Sequence, residues 1–503
     1  MTRTFGELVG HRRTAQLIAP DELPGRALSL LDSGYRVALV AGHDDGDGLR
    51  AVYLFTDAAT DHRVELHVPL DPADPHVPSL AGMSFPAGRF EREMRDLYGI
   101  VPDDHPLPRR LVRHFHWPRC WNPMLAEAGD PPAFGAVDGP YPFRTVEGPG
   151  VYEIPVGPVH AGMIEPGHFR FSVVGETILN LKARLWFVHK GIEKLFQGRR
   201  VNQAIELAER VSGDTAVGHN LAFCLAVEDA LGIPVPPAAR RSRAILLELE
   251  RLYNHVTDIG ALCNDVGHGI LNAHAQRIRE QLLRINDEVT GHRLLRGAIH
   301  PGRATLVRPP DPMVLAAIGT DIAEVVALAL DHSVVHDRFA GTAVLTAAQA
   351  ADLGALGYVA RASGLTTDAR HDHPFLTPPL PRATHSRTDG DVLSRFLVRA
   401  GEVQESIAVI TGVLDDARDH DQTPPTATPG PVSGSGVGIV EGWRGIIVHR
   451  VELAADGTLS RVKIVDPSFV NWPALPVALA DTIVPDFPLV NKSFNLSYAG
   501  NDL

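Results

Sequence analysis

Cysteine is scarce in this chain of 503 residues: Cys120, Cys224 and Cys263 are the three, and no two lie close together. That excludes a Cys-x-x-Cys metal knuckle, a disulfide framework and an iron–sulfur cage built by this chain alone. Long apolar runs are missing as well, since no stretch approaches the roughly 18 consecutive apolar residues of a membrane span. The start, Met1 to Leu8, lacks the apolar run of a secretory leader. Positive charge is in short supply, with Lys plus Arg 47 against Asp plus Glu 60 and a net charge of −13, which argues against a general nucleic-acid binder. The expectation is a cytoplasmic protein with no membrane span of its own and no nucleic-acid partner. The 24 histidines are spread along the chain rather than grouped for a metal.

What is present is material for more than one core, with 44% hydrophobic and 21% charged residues. Arg36–Val40, Ala51–Phe55 and Val64–Val68 read as strands separated by turn-rich segments. A short charged helix follows from about Arg89 to Tyr98, stopped by Gly99, and then a Pro-, His- and Arg-rich tail reaches Pro123. Leu125 to Gly150 is rich in Gly, Pro and Asp and reads as an extended connection. Beyond Pro158 the apolar residues recur every three or four positions. Leu181, Leu185, Val188, Ile192 and Leu195 form one stripe, Ile245 through Val266 a second, and Ile278, Leu282, Ile285 and Val289 a third. Such stripes predict amphipathic helices in a bundle, with more over Pro312–His332 and Gly390–Asp416. Gln422 to Gly438 reads as a second flexible segment, and Ile446–Leu453 with Ser460–Val465 as a hairpin across Asp456-Gly457. Gly48, Gly434, Gly436 and Gly438 do not form a strand-turn-helix dinucleotide fingerprint.

Phe90-Glu91-Arg92-Glu93-Met94-Arg95-Asp96-Leu97-Tyr98-Gly99-Ile100, with His105-Pro106-Leu107-Pro108-Arg109-Arg110-Leu111 and Trp117-Pro118 behind it, resembles the signature of the 30 kDa peripheral-arm subunit of respiratory complex I. Its charges suit a salt-bridged docking surface, where a charge run alone would be read as a solvated face. The later region resembles the large subunit of membrane-bound energy-converting nickel–iron hydrogenases and its relative, the 49 kDa subunit of complex I. The resemblance rests on Val156 through Phe171, His189 through Lys194, Ala208 through Gly213, His219-Asn220, Leu249-Glu250-Arg251, Asp337 through Thr342, Glu441 through Gly445 and Asp466 through Trp472. The fused order is that of formate-hydrogenlyase-type large subunits. It implies an α+β chain: a 30 kDa-type α+β domain over residues 1–124, a linker over 125–150, and a mainly helical domain with peripheral β-hairpins over 151–503.

The nickel–iron members of this family use four cysteine thiolates in two Cys-x-x-Cys pairs, because soft sulfur holds nickel and bridges it to iron. By the resemblance those places fall on Ser212, Thr215, Ser497 and Gly500, none of which can supply a thiolate. Cys224 and Cys263 lie in helical stripes, where a small buried hydrophobe is expected. The sequence ends at Leu503, just past the second motif, and by the resemblance the removable tail that such hydrogenases often carry is not expected. Autonomous hydrogen activation is therefore not expected, and no cofactor is expected to be bound directly.

The respiratory branch uses the vacated cavity for a quinone headgroup, with a histidine in a glycine-proline loop and a tyrosine that falls here nearest Gly213. The resemblance places His160 as the loop histidine. Glu165, His168 and Arg210 join it as candidate catalytic residues, and Ser212, Thr215, Ser497 and Tyr498 as the cavity lining. A histidine titrating near neutrality can pass a proton to a reduced quinone oxygen. Arg210, Arg338 and Arg361 fit either the cavity or buried ion pairs, Glu193 and Lys194 fit helix packing, and Asp265 and His268 fit helix capping. Implied partners are a small, [4Fe-4S] cluster-bearing subunit of the complex I type and antiporter-like membrane subunits, placing the chain peripherally on the cytoplasmic side of the cell membrane. Two functions stay open: a redox subunit passing electrons to a quinone or another acceptor, and a non-catalytic coupling subunit. An open polar cavity favours the first; one filled by Phe494 and Tyr498 favours the second.

Overall fold

A computed structural model describes residues 12–160, 164–380, 385–417 and 433–503. Ala161, Gly162 and Met163 of the histidine-bearing loop and most of the segment from Gln422 lie outside the described residues. The first part holds β1 (Arg12–Leu17), α1 (Leu23–Asp32), β2 (Arg36–Asp44), β3 (Leu49–Asp57) and β4 (His62–Leu70), then β5 (His76–Pro78), α2 (Phe85–Tyr98) and β6 (Val101–Asp103). The main sheet has the order β1-β4-β3-β2, with β1 parallel to β4 and the other pairs antiparallel. β2 and β3 are buried almost continuously rather than at alternate residues, as in a sheet covered on both faces. The helix α2 lies against β2, and the C-terminal part supplies further cover through Arg461 Nε, which donates to the Gly42 carbonyl at 3.1 Å, and Arg63 Nη1, which donates to the Val437 carbonyl at 2.8 Å.

Glu91, Arg92, Glu93 and Asp96 of α2 are buried, not solvated. Asp96 accepts from the backbone N–H groups of Leu111, Val112 and Arg113, and Arg92 donates to the carbonyls of Arg109 and Arg110. Glu93 meets Lys463 at 2.7 Å. The docking surface thus serves the chain's own tail and its own C-terminal part. Gly99 ends the helix in the left-handed conformation, φ 77°. Between β6 and residue 150 there is no helix or strand, yet Asp138 gathers Arg110, Arg113 and Arg119 and so fixes the middle of the extended connection.

The second part opens with the antiparallel sheet β7 (Val151–Val156), β8 (His168–Val174) and β9 (Thr177–Arg184). This corrects the helix expected over Leu181–Leu195: Leu181 is in a strand, Leu185 and Val188 are in a loop, and a short helix, α3 (Ile192–Phe196), holds the last two positions. The stripe satisfied a helical spacing by coincidence, and pairing with β8 settled the conformation.

The other predicted helices are present. After α4 (Val201–Ala208) and α5 (Ala216–Leu231) come α6 (Pro237–Asp265) and α7 (Gly269–Thr290), which lie against each other. The short strands β10 (Ile299–His300) and β11 (Arg303–Ala304) lead to α8 (Pro312–Asp331), α9 (Ser333–Phe339), α10 (Ala347–Leu353), α11 (Gly357–Ala362), α12 (Ala369–Asp372) and α13 (Val392–Ala417). By length and composition α8 is the one described helix that could cross a membrane. It buries Leu315, Ile318, Ile322 and Val325 against the protein, leaves Met313, Val314 and Leu328 exposed, and pairs Asp321 with Arg277 at 2.8 Å.

The chain closes with the sheet β12 (Gly434–Gly442), β13 (Gly445–Leu453) and β14 (Leu459–Val465), then α14 (Pro467–Asn471), α15 (Ala474–Ala478), α16 (Phe487–Phe494) and α17 (Tyr498–Asp502). Gly434, Gly436 and Gly438 bring the backbone of β12 onto α5. A Cβ on Gly438 would stand 1.9 Å from the Ala222 carbonyl oxygen, and one on Gly436 2.0 Å from that of Ala226. Behind this sheet Arg361 pairs with Glu402 and Glu441, Arg251 with Glu248 and Glu402, and Arg370 with Glu248 and Asp368. Arg361 is 1% exposed and belongs to this ion-pair network.

Candidate functional site

The site forms where three loops converge: the 157–167 loop between β7 and β8, the 209–215 turn between α4 and α5, and the turn between α16 and α17. In the first, the Gly167 N–H donates to the Pro158 carbonyl at 3.0 Å, and His160 Nε2 bonds the Gly167 carbonyl at 2.8 Å. Gly157, at φ 79°, leaves no room for a side chain, since a Cβ there would stand 2.2 Å from the Gly167 oxygen. Glu165 crosses to the third loop and accepts from the Ala499 N–H at 3.2 Å. The Tyr498 ring packs edge-on against Trp472, with centroids 4.9 Å apart. Its hydroxyl lies near Asn491 without a hydrogen bond of full geometry, and burial pushes its pKa up to about 12.

The second and third loops meet through their hydroxyls. Ser212 Oγ and Ser497 Oγ are 2.8 Å apart, Ser212 also donates to Asp214 Oδ1 at 2.9 Å, and Ser497 Oγ accepts from the Gly500 N–H as the N-cap of α17. Thr215 Oγ1 donates to Asp214 and accepts from the Trp443 indole N–H at 3.1 Å. Arg444 grips both oxygens of Asp214 at 2.7 Å, and its Nε donates to the Asn495 carbonyl at 2.6 Å. Desolvation opposes the charge on Asp214, but Arg444 and the two hydroxyls outweigh it and hold its pKa at about 2. The carboxylate is 39% exposed because it opens onto a cavity.

That cavity has a volume of about 730 Å³. His160, Glu165, Ser212, Ser497 and Tyr498 line it together, and Asp265, Lys492 and Asn495 give it further polar wall. Val156, Phe169, Phe487 and Leu496 make the apolar side. Phe494 does not line it; it is buried beneath the Arg395 guanidinium. The other sequence candidates lie elsewhere. His168 bonds the Gly157 carbonyl through Nδ1 and faces Phe143. Arg210 is 49% exposed and donates to the Glu206 carbonyl, while Thr215 is buried under Trp443. Arg338 is at the surface, paired with Asp486. Asp265, expected as a cap, is on the cavity wall, where burial raises its pKa and Lys492 partly offsets this.

Sequence reasoning missed three further groups. Asp214 sits between two singled-out residues, and Arg444 lies in a quoted motif, but nothing in a linear reading pairs positions so far apart. Below Ser497, Asp466 Oδ2 bonds His219 Nε2 at 2.9 Å, and His219 Nδ1 bonds His449 Nε2 at 3.0 Å, all buried. A Cβ on Gly500 would stand 2.5 Å from the Asp466 carboxyl carbon.

The nickel–iron centre implied by the family does not fit these donors. Ser212, Ser497 and Thr215 present hydroxyls already bonded to one another or to Asp214, Arg444 neutralises the nearby carboxylate, and Asp466 fills the space beside Gly500. None of the three cysteines lines the cavity: Cys224 and Cys263 are buried in α5 and α6, and Cys120 is exposed. Burial pushes the Cys224 thiol well above its ordinary range and that of Cys263 to about 12, away from thiolate character.

Comparison with known proteins agrees with this architecture. Residues 17–128 match the model of the respiratory-chain NADH dehydrogenase 30 Kd subunit, 190–263 that of nickel-dependent hydrogenase, and 265–431 that of the respiratory-chain NADH dehydrogenase 49 Kd subunit. Formate hydrogenlyase subunit 5 of Escherichia coli (strain K12) is 31% identical over 93% of this chain and 84% of its own length. Hydrogenase-4 component G of the same organism is 33% identical over 82% and 73%, and the carbon monoxide-induced hydrogenase of Rhodospirillum rubrum 31% over 68% and 97%. A chain of the archaeal membrane-bound sulfane sulfur reductase shares the fold, with a TM-score of 0.65 at 23% identity over 70% of this chain and 98% of that one. The chain therefore belongs to the family of formate hydrogenlyase subunit 5, in which a complex I 30 Kd-type part and a 49 Kd or hydrogenase large-subunit part are joined in one polypeptide.

Proposed function

We propose that this chain is a peripheral subunit of a membrane-bound complex I-like or formate-hydrogenlyase-like oxidoreductase. It takes electrons from a partner's iron–sulfur cluster and passes them to a quinone or other acceptor in the 730 Å³ cavity, in step with ion translocation by membrane subunits and without a nickel–iron centre of its own. The observation that carries this reading is an open cavity of mixed polarity lined by hydroxyls, an Arg–Asp pair, His160, Glu165 and Asp265 instead of thiolates. Its volume lies within the roughly 300–1,000 Å³ of ligand sites.

The chemistry asked of the site is modest. A quinone accepts two electrons and two protons, one on each oxygen. The electrons come from the partner's cluster, and His160, Glu165 and Asp265 on the wall are the proton carriers. Asp265 suits the task because its raised pKa keeps a proton available nearer neutrality than an ordinary carboxyl would. The apolar side formed by Val156, Phe169, Phe487 and Leu496 would receive the ring.

One observation favours the coupling-subunit reading. Arg444 is fully engaged by Asp214 and Asn495, and the serines by each other, so part of the polar wall is committed to holding loops together.

The test is to recover the tagged protein from gently solubilised membranes, assay nickel, and follow quinone-dependent reoxidation, alongside Gly213→Phe. Gly213 borders the cavity with open space where a side chain would go. The redox-subunit reading expects an assembled complex without nickel whose reoxidation by quinone is lost in Gly213→Phe. An assembled complex indifferent to quinone and to the substitution leaves the coupler. Stoichiometric nickel with hydrogen evolution overturns both.

A further inference from the structure

A second cavity, of about 600 Å³, lies at the seam between the N-terminal sheet and the C-terminal part. None of its lining residues is shared with the site around Ser212. Its apolar walls come from both sides of the seam: Leu31 and Val37 from the first part, and Leu356, Ile446 and Val448 from the second. Asp352 is at its exposed rim. The cation on its wall is Arg36, at the start of β2, the edge strand of the main sheet.

Arg36 is one of several arginines with a buried, unpartnered nitrogen, Arg279 and Arg296 among them, and is the one that lines this cavity. Its side chain makes no hydrogen bond or ion pair with any described residue, and its Nη2 is out of solvent contact with no partner. The acids whose charge reaches it, Glu441 and Asp372, are engaged elsewhere. Glu441 holds Arg361 at 2.8 Å and the Ala369 N–H at 2.9 Å, and Asp372 accepts from the Asp368 N–H at 3.0 Å. Burial accordingly lowers the pKa of Arg36 from its ordinary value. A guanidinium nitrogen out of water with its donors unmet is a standing cost to the fold, and an anion in the cavity would remove it.

We propose that this cavity binds an amphiphilic anion, a carboxylate or phosphate ester bearing an apolar chain, with the headgroup on Arg36 and the chain against Val37, Ile446 and Val448. A bare inorganic anion would find a single guanidinium, no second cation and the carboxylate of Asp352 at the rim. A neutral amphiphile would leave the guanidinium unmet. Because the walls come from both parts of the chain, the ligand would bridge them.

The experiment uses the full-length protein in isothermal titration with dodecanoate and dodecyl phosphate below their micellar concentrations, with dodecyl maltoside and inorganic phosphate as controls. Saturable 1:1 binding of one or both anionic amphiphiles is expected, weakened about tenfold or more in Arg36→Gln and largely kept in Arg36→Lys. Preference for dodecanoate points to a fatty acid, and preference for the phosphate ester to a phospholipid. Arg36→Gln itself should melt no lower than the parent, because the charge it removes is unpaired. If that variant does not fold, a photoreactive dodecanoate should label the parent protein within residues 31–38 or 446–448. Equal binding of the maltoside, inorganic phosphate binding as tightly as the dodecyl compounds, undiminished affinity in Arg36→Gln, or labelling elsewhere would overturn the proposal.

Discussion

Ser212 and Ser497 are 285 positions apart in sequence, yet their hydroxyl oxygens lie 2.8 Å from each other. The bond ties the turn before α5 to the N-cap of the last helix. Each serine also holds a second partner, Asp214 for one and the Gly500 N–H for the other. Ser212→Ala should therefore cost about 1–2 kcal/mol and Ser497→Ala a similar amount. The double variant should cost less than the sum, because one bond is shared. Urea unfolding of the four proteins measures the coupling.

Restoring thiols should not restore nickel. In the variant Ser212→Cys, Thr215→Cys, Ser497→Cys, Gly500→Cys, the fourth side chain would enter space held by Asp466, 2.5 Å from its carboxyl carbon. The expected result is a destabilised protein that retains less than stoichiometric nickel after dialysis, read by elemental analysis.

Arg444→Gln should make the protein acid-sensitive. With Arg444 in place, the Asp214 carboxyl titrates at about 2, below the roughly 3.9 of an unfolded chain. Its contribution is therefore present above about pH 4 and lost as pH falls toward 2. Without the guanidinium the folded pKa rises, and the midpoint of acid unfolding, followed by circular dichroism, should move to higher pH.

Glu250 gives the opposite slope. It belongs to α6 and is buried against the first turn of α5, accepting from the Val217 N–H at 2.7 Å and the Gly218 N–H at 2.9 Å, and burial raises its pKa to about 8 despite those bonds. Between roughly pH 4.3, where the unfolded chain releases this proton, and pH 8 the folded state binds more protons, so stability falls as pH rises. Glu250→Gln keeps an acceptor oxygen for one of the two donors and cannot ionise. Its urea midpoint should change less than the parent's between pH 5 and pH 8.

Arg361 serves Glu402 at 2.7 Å and Glu441 at 2.8 Å with no solvent to replace it. Arg361→Ala should cost about 3–5 kcal/mol by removing the guanidinium shared by two buried carboxylates, leaving Glu402 to Arg251 and Glu441 to the Ala369 N–H. Arg361→Lys, which can reach one of them but not grip both, should fall between. Thermal unfolding of the three proteins orders them.

Much of the fold was legible in the chain because apolar period reports burial directly. The strands from Arg36 to Leu70, the helices α6 to α8 and α13, and the C-terminal hairpin all follow from it. The stripe from Leu181 to Leu195 misled because three- and four-residue spacing also fits a strand followed by a loop. Of the eight site candidates, five share one cavity: His160 and Glu165 came from the glycine-proline loop, and Ser212, Ser497 and Tyr498 from the places the resemblance gives to thiolates or beside them. Asp214–Arg444 and Asp466–His219–His449 were illegible for a different reason. Polar residues that satisfy one another inside a protein leave no periodic trace, and their pairing depends on loops hundreds of positions apart. The α2 charges show the same limit in part: Glu91, Arg92, Glu93 and Asp96 read as a salt-bridged docking surface, but their partners, the chain's own tail and its C-terminal part, could not be named from the sequence.

The seam between the two parts of the chain is held by charges withdrawn from water: Arg450 against Glu65 at 2.9 Å, and Lys463 against Glu93 at 2.7 Å. A hydrophobic seam would tolerate many alternative mates. This one rejects any surface that does not offer the matching charge at the matching point, because a mismatch strands an ion in a dry interior. If the polypeptide were severed within the 125–150 connection, the halves would be selective for each other and poorly soluble apart, so the peptide link sets their local concentration while the pattern of ions sets their register.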